Sequence, residues 1–275
     1  MTRRSKPSLG QHFLHDRAIA ERIVDAVEAG GWTVLEVGPG KGALTRLLAE
    51  RAEKVVAVEL DRQLAEELRV DARLSTVTII NADILDRPMA HWVEPLPEKG
   101  FLVIGNLPYQ ITSPMIFACL ESRDTIEKCV LMMQREVAER LVAGPGSRRY
   151  GIISVLAGIH ADRKILFKLG KGAFQPPPSV ESAVVSLEML KEPVGGVDTA
   201  DGPDFEWVTS VVKAAFGQRR KMMKNSLEAG LSHLTQGELM DYSTRAGIDL
   251  QRRAETMSPE EFVELARMLP APGAV

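Results

Sequence analysis

The sequence has little cysteine, no long apolar run and almost no net charge. Cys119 and Cys129 are its two cysteines, each inside an apolar segment. A disulfide framework or a cysteine-rich zinc site is therefore not expected, and the cytoplasm is the expected compartment. No apolar stretch reaches the roughly 18 residues of a membrane span, so no membrane partner is expected. The basic start MTRRSKPSLGQHFLHD lacks the apolar core of a signal peptide. The five histidines form no metal-ligand pattern, so no metal is expected. No internal repeat is evident, and nothing suggests an obligate interface, so the expected state is a monomer.

What is present is ordinary in amount and uneven in placement. Of 275 residues, 45% are hydrophobic and 26% charged, enough for one large domain or one large and one small. The net charge of −3 conceals a separation. Arg148, Arg149, Arg163, Lys164, Lys168 and Lys171 face only Asp162 within residues 146 to 171, and FGQRRKMMKNS contributes Arg219, Arg220, Lys221 and Lys224 without an acid. Arg3, Arg4 and Lys6 make a basic arm, whereas acid gathers in residues 181 to 206 and 228 to 264. Such a pattern fits an anionic partner held on one face.

Apolar strand-like runs at Val34 to Val37, Val55 to Leu60, Val77 to Ile80, Phe101 to Ile104 and Val130 to Met133 alternate with helical spacing, as in ALTRLLAER and RQLAEELRV. An α/β fold with a parallel, doubly wound sheet is predicted. A helix is expected from the N-cap Asp16 to the stop at Gly30-Gly31. RKILFKLG and SAVVSLEML are further β-like runs around the proline loop of KGAFQPPPSVES, and KEPVGGVDTADGP reads as a linker. After it the pattern is all helical, ending in a helix with a capping box at Ser258 and Glu261. The expected division is a catalytic domain over residues 1–192, a linker over 193–203 and a small helical domain over 204–275.

Two motifs carry chemistry. VLEVGPGKGALT sets Gly38, Gly40 and Gly42 between a strand and a helix, where glycine lets a ligand approach the backbone. Gly38, Gly40 and Ala43 also satisfy a dinucleotide spacing, with Glu59 about 20 residues on as a ribose-binding carboxylate, so a nicotinamide oxidoreductase competes. Glu36, Glu59 and Asp83, acids at three successive strand ends, instead resemble the S-adenosylmethionine pocket of Rossmann-like class I methyltransferases. The second motif, Asn106-Leu107-Pro108-Tyr109, ends an apolar strand, at the edge where open α/β sheets bind ligands. An adenine amino group is a poor nucleophile because its lone pair is delocalised. Acceptors at the Asn106 side chain and the Leu107 carbonyl would favour a pyramidal nitrogen, Pro108 would constrain the turn, and Tyr109 would stack on the purine.

The motifs LGQHFL, EVGPGKGALT, VELD, NADIL, GNLPYQITSP, QREVAERL, YGIISV, FQPPPSVESAVV and AAFGQRRKMMKNSL, in this order over roughly residues 8 to 227, resemble the ribosomal RNA adenine N6,N6-dimethyltransferase family. The resemblance implies S-adenosylmethionine as methyl donor. It places Gln11, His12 and Leu14 over that cofactor, Gly38 and Gly40 at its methionine part, Glu59 at the ribose, Asp83 at the adenine and Asn106 beside it. Asn106 through Tyr109 would hold the target base and Phe174 would cover its other face, while Arg219, Arg220, Lys221 and Lys224 would touch rRNA phosphates. The implied reaction dimethylates N6 of two adjacent adenosines near the 3′ end of small-subunit rRNA, late in assembly, with the small ribosomal subunit as partner.

Three positions depart from the family pattern: His12 where asparagine is common, Gly158 where glutamine is frequent, and KMMK where a threonine usually follows the lysine. The alternatives are a large-subunit rRNA adenine methyltransferase, a DNA adenine methyltransferase, and a non-catalytic ribosome-assembly factor on the same fold. The long helical tail favours the small-subunit enzyme. DNA enzymes usually carry two prolines and an aromatic after the acid or amide.

Overall fold

The apolar runs become strands of a single sheet in a computed structural model that describes residues 12–218 and 221–273. Gln11, Arg219, Arg220 and the basic arm lie outside the described residues. The chain begins with β1 (Phe13–Leu14) and α1 (Arg17–Val27), then alternates through β2 (Thr33–Val37), α2 (Thr45–Arg51), β3 (Lys54–Glu59), α3 (Arg62–Arg69) and β4 (Val77–Asn81). It continues through β5 (Phe101–Asn106), α4 (Thr112–Glu121), β6 (Ile126–Gln134), α5 (Arg135–Leu141), α6 (Ile152–His160), β7 (Ala161–Leu169), β8 (Phe174–Gln175) and β9 (Ser182–Met189). The helices α7 (Phe205–Phe216), α8 (Met223–Gly230), α9 (Gln236–Arg245) and α10 (Pro259–Met268) complete it. Among the described residues no helix is long and apolar enough to cross a membrane.

Local chemistry explains the element ends. The Asp16 carboxylate accepts a hydrogen bond from the Ile19 N–H and starts α1, whose Ala20, Ile23, Val24 and Val27 recur at helical spacing and are buried. The helix stops short of Gly30: Glu28 takes the left-handed cap at φ 58° and donates its N–H to the Asp25 carbonyl. Asp61 caps α3 through the Gln63 and Leu64 N–H groups.

The sheet order is β4-β3-β2-β5-β6-β9-β7. Strands β4 to β6 pair in parallel, as predicted, and β9 joins β6 antiparallel, making the sheet mixed. The chain builds outward from β2 to β4, then returns to place β5 on the other side of β2. This reversal is a topological switch point, where the carboxyl ends of neighbouring strands open a crevice. Val37 and Gly105 face each other across it, and Gly105 packs so closely that a Cβ there would lie 2.7 Å from the Val37 carbonyl oxygen. The core on one side joins α1 (Ile23, Val27) and α2 (Leu48) to the sheet (Val34, Ile104, Val130).

The described chain divides into two compact units, one of residues up to 138 with 164–189, the other of 139–163 with 190 onward. Residues 139–163 thus group with the C-terminal helices rather than with the sequence on either side of them. The reason is α6, IISVLAGIH, which is apolar nearly all round and packs within the helical unit against α7 and α10. There the Trp207 indole N–H also donates to the Ala266 carbonyl at 2.9 Å. The stretch read as a linker is anchored in the same unit: Val197 is buried, and the Asp198 carboxylate accepts from the Phe205 N–H at 2.8 Å.

Candidate functional site

A cleft of about 710 Å³, open to solvent, lies at the carboxyl ends of β2, β3 and β5. Gly38 and Gly40 form the turn leaving β2, with φ of 64° and 55°, values that disfavour any side chain. A Cβ on Gly40 would meet the Phe13 ring at 3.1 Å, so a side chain there would press on the β1 segment that closes over the loop. Lys41 Nζ lies 4.8 Å from the centroid of the same ring, a cation over an aromatic face.

Two carboxylates line this floor, and their environments differ. Glu59, at the end of β3, accepts from the Gly40 N–H with Oε2 and from the Asp61 N–H with Oε1, each at 2.9 Å. One side chain thereby shapes the glycine loop and the turn after β3. Burial pushes its pKa up, and the two N–H donors oppose that shift. Glu36, on β2, is 1% exposed, and its Oε2 has no hydrogen-bond partner. Burial, offset in part by Thr45 and reinforced by the charge of Glu59, pushes the Glu36 carboxyl up to about 8. A buried acceptor without a donor is costly, and it suits a ligand that brings an N–H or a positive charge.

The raised Glu36 pKa makes stability depend on pH. Unfolded, the carboxyl titrates near 4.5; folded, it holds its proton to about 8. Its contribution is complete below pH 4.5 and is lost as pH rises through 8. Melting of the ligand-free protein is therefore expected to fall over this window relative to Glu36→Gln, whose neutral amide has no proton to lose. Melting curves of both proteins from pH 5 to 9 test this, and parallel curves would refute it.

The opposite wall is the turn after β5. Asn106 ends that strand, and its Nδ2 donates to the His12 carbonyl at 2.9 Å. A carbonyl can only accept, so the amide nitrogen must face His12, which leaves Oδ1 as the acceptor end. Leu107 is buried and donates its N–H to the Met132 carbonyl at 3.0 Å, fastening the turn to β6. Tyr109 lies next to His12, their ring centroids 5.8 Å apart, and its hydroxyl is hydrogen-bonded to Ser182 Oγ at 3.1 Å. His12 Nδ1 donates to the Pro176 carbonyl at 2.8 Å, since a carbonyl can only accept.

His12, Leu14, Gly38, Gly40, Glu59, Asn106, Leu107, Pro108 and Tyr109 thus share one cleft. Asp83 and Phe174 do not line it. Asp83 caps the turn Ile84–Asp86, its Oδ1 accepting from the Leu85 N–H at 3.0 Å. Phe174 is 3% exposed and packs in the apolar core, in register with Leu14. Lys221 is exposed and Lys224 half-buried at the start of α8 in the helical unit. Phe13, Lys41 and Ser182 are not among the residues that the sequence motifs single out. Phe13 stands inside the GQHFL motif, Lys41 inside the glycine loop and Ser182 inside FQPPPSVESAVV, so their neighbours are the available signal.

The sequence pattern of the ribosomal RNA adenine dimethylase family matches residues 2–270. The ribosomal RNA small subunit methyltransferase A of Geobacter sulfurreducens is 43% identical over 274 residues, covering 98% of this chain and 97% of the relative. The protein of the same name from Desulfitobacterium hafniense is 44% identical over 257 residues, covering 93% of this chain and 88% of the relative. Among solved structures, the 23S rRNA methyltransferase ErmE superposes with a TM-score of 0.68 at 30% identity, covering 94% of this chain and 99% of that one. A dimethyladenosine transferase from Plasmodium falciparum has a TM-score of 0.74 at 23% identity, over 92% and 96% of the two chains, a likeness of fold. The chain with this cleft belongs to the ribosomal RNA adenine dimethylase family.

Proposed function

We propose that the protein dimethylates N6 of two adjacent adenosines near the 3′ end of small-subunit rRNA, with S-adenosylmethionine as donor. The observation that carries this reading is the amide of Asn106, at the mouth of the cleft, oriented by the His12 carbonyl so that Oδ1 is free to accept. The cleft floor suits the donor: an incoming ammonium group would favour the ionised form of Glu36, whose Oε2 is unpartnered, the bare Gly38 and Gly40 backbone admits close contact, and Glu59 keeps lone pairs for ribose hydroxyls.

When bound, S-adenosylmethionine supplies an activated methyl group, whose sulfur–carbon bond breaks toward sulfur as the new nitrogen–carbon bond forms. The protein's part is to hold the nucleophile. Asn106 Oδ1 and the Leu107 carbonyl accept the two N6 hydrogens, which draws the lone pair out of conjugation and aims it at the cleft. The proton displaced from N6 leaves to water. After the first transfer one N–H remains, so one acceptor suffices for the second. Tyr109 offers a face for the extruded base, a contact worth about 1 to 3 kcal/mol. Asp83 at the cofactor adenine belongs to this proposal, as does Phe174 on the far face of the base, which requires its ring to turn out of the apolar core, and so do rRNA contacts of Arg219, Arg220, Lys221 and Lys224. So do a monomeric state and a cytoplasmic, ribosome-associated location.

The ErmE likeness supports a large-subunit substrate as the second reading, but the more similar, nearly full-length relatives carry the small-subunit name. Labelled S-adenosylmethionine with small subunits lacking dimethyladenosine is expected to give N6,N6-dimethyladenosine on nucleoside analysis. Label entering large subunits instead would establish the second reading. Binding to small subunits without transfer would establish an assembly factor.

A further inference from the structure

We propose that Ser182 is a positioning residue that sets the plane of the Tyr109 ring, and that this setting governs the second methyl transfer more than the first. The inference rests on the proposed reaction, in which Tyr109 stacks on the target adenine. Tyr109 follows β5 on a short turn, Tyr109–Ile111, which by itself leaves an aromatic side chain two free torsions. Its hydroxyl meets Ser182 Oγ at 3.1 Å. Ser182 is the first residue of β9, separated from β5 by β6 in the sheet, so the ring bridges from the end of one strand to the start of another two places away.

The anchor is rigid. Ser182 is 1% exposed and pairs with Gln134, the last residue of β6, while the adjacent Glu181 carbonyl accepts the Arg135 N–H at 2.9 Å. The next residues on the strand, Ala183, Val184 and Val185, are wholly buried and apolar. A serine in this setting needs a partner, and the Tyr109 hydroxyl is that partner. With His12 beside the ring and Ser182 at its tip, the stacking face is set before any base arrives.

The two methyl transfers use this face unequally. An unmodified adenine amino group can donate to both acceptors of the turn, and two hydrogen bonds orient it. The monomethylated group has one N–H left and carries a methyl that the pocket must admit. Its orientation therefore depends more on the ring beneath it. Loosening the ring is expected to slow the first transfer modestly and the second strongly, so that monomethyladenosine accumulates.

The test compares wild type, Ser182→Ala, Tyr109→Phe and the double variant as full-length proteins on small subunits lacking dimethyladenosine, with nucleoside analysis over time. Both single variants are expected to slow the second transfer about 5- to 10-fold, the worth of one hydrogen bond, and to raise the ratio of monomethyl to dimethyl product. Because both remove the same bond, the double variant is expected to match the singles. Cofactor affinity of Ser182→Ala, measured by calorimetry, is expected to stay at the wild-type value. A Ser182→Ala protein with wild-type rates and product ratio would overturn the proposal, as would effects that multiply in the double variant. A general loss of fold would instead lower both transfers equally and weaken the cofactor, which also counts against it. Absence of transfer by wild type is a different result and defeats the methyltransferase reading itself.

Discussion

Replacing Asn106 with alanine is expected to slow methyl transfer by about 10²- to 10³-fold, the usual cost of removing one preorganised polar partner of a reacting group. The protein should still fold, because Asn106 is only half-buried at the strand end and the turn stays tied through Leu107 to Met132. The aspartate variant sharpens the test. Its carboxylate would keep two acceptor oxygens, but one would face the His12 carbonyl that now receives the Nδ2 hydrogen at 2.9 Å. Two acceptors repel, so the carboxylate should turn away and Asn106→Asp should be nearly as slow as Asn106→Ala. Single-turnover rates with saturating subunits measure this directly. Either variant retaining a tenth of the wild-type rate would remove Asn106 from the reaction.

Glu59→Ala is expected to weaken S-adenosylmethionine binding by about 10²- to 10³-fold, read by calorimetry. The magnitude follows from two charge-assisted hydrogen bonds at about 1.5 to 3 kcal/mol each, reduced because water can replace part of what is lost. The carboxylate holds the Gly40 and Asp61 N–H groups, so its removal loosens the glycine loop and the β3 turn as well as the proposed ribose contact. Glu59→Gln separates these roles. An amide oxygen can keep one of the two N–H bonds, but the amide nitrogen cannot accept the other. An affinity within threefold of wild type for both variants would show that the cofactor does not depend on this side chain.

Much of the architecture was legible because strand and helix signals here are local. Apolar runs bounded by turn residues marked β2, β3, β4 and β5 to within about two residues, and Asp16 and Ser258 announced their helices. β6 was read short because Glu127 and Lys128 interrupt its apolar run. In the structure Lys128 Nζ reaches Glu28 at 2.9 Å and Glu188 at 3.5 Å, so an ion-pair cluster lets the strand extend back to Ile126. The two-residue pairing of Phe13–Leu14 with Phe174–Gln175 had no periodicity to detect. It exists because segments far apart along the chain are brought together.

Sequence alone determined the order of elements, the glycine loop, the acids at strand ends and the Asn106 to Tyr109 turn, because each depends on residues near one another along the chain. Its motifs also identified the family. The tertiary structure decided what those groups do to each other. It made Glu59 the clasp of the glycine loop, left Glu36 buried with an empty acceptor, turned the Asn106 amide toward His12, and tied Tyr109 to a serine 73 residues away. It also kept Asp83 and Phe174 out of the cleft and gathered residues 139–163 with the C-terminal helices. Burial, and hydrogen bonds between distant segments, arise only when the sheet closes, so no local pattern encodes them.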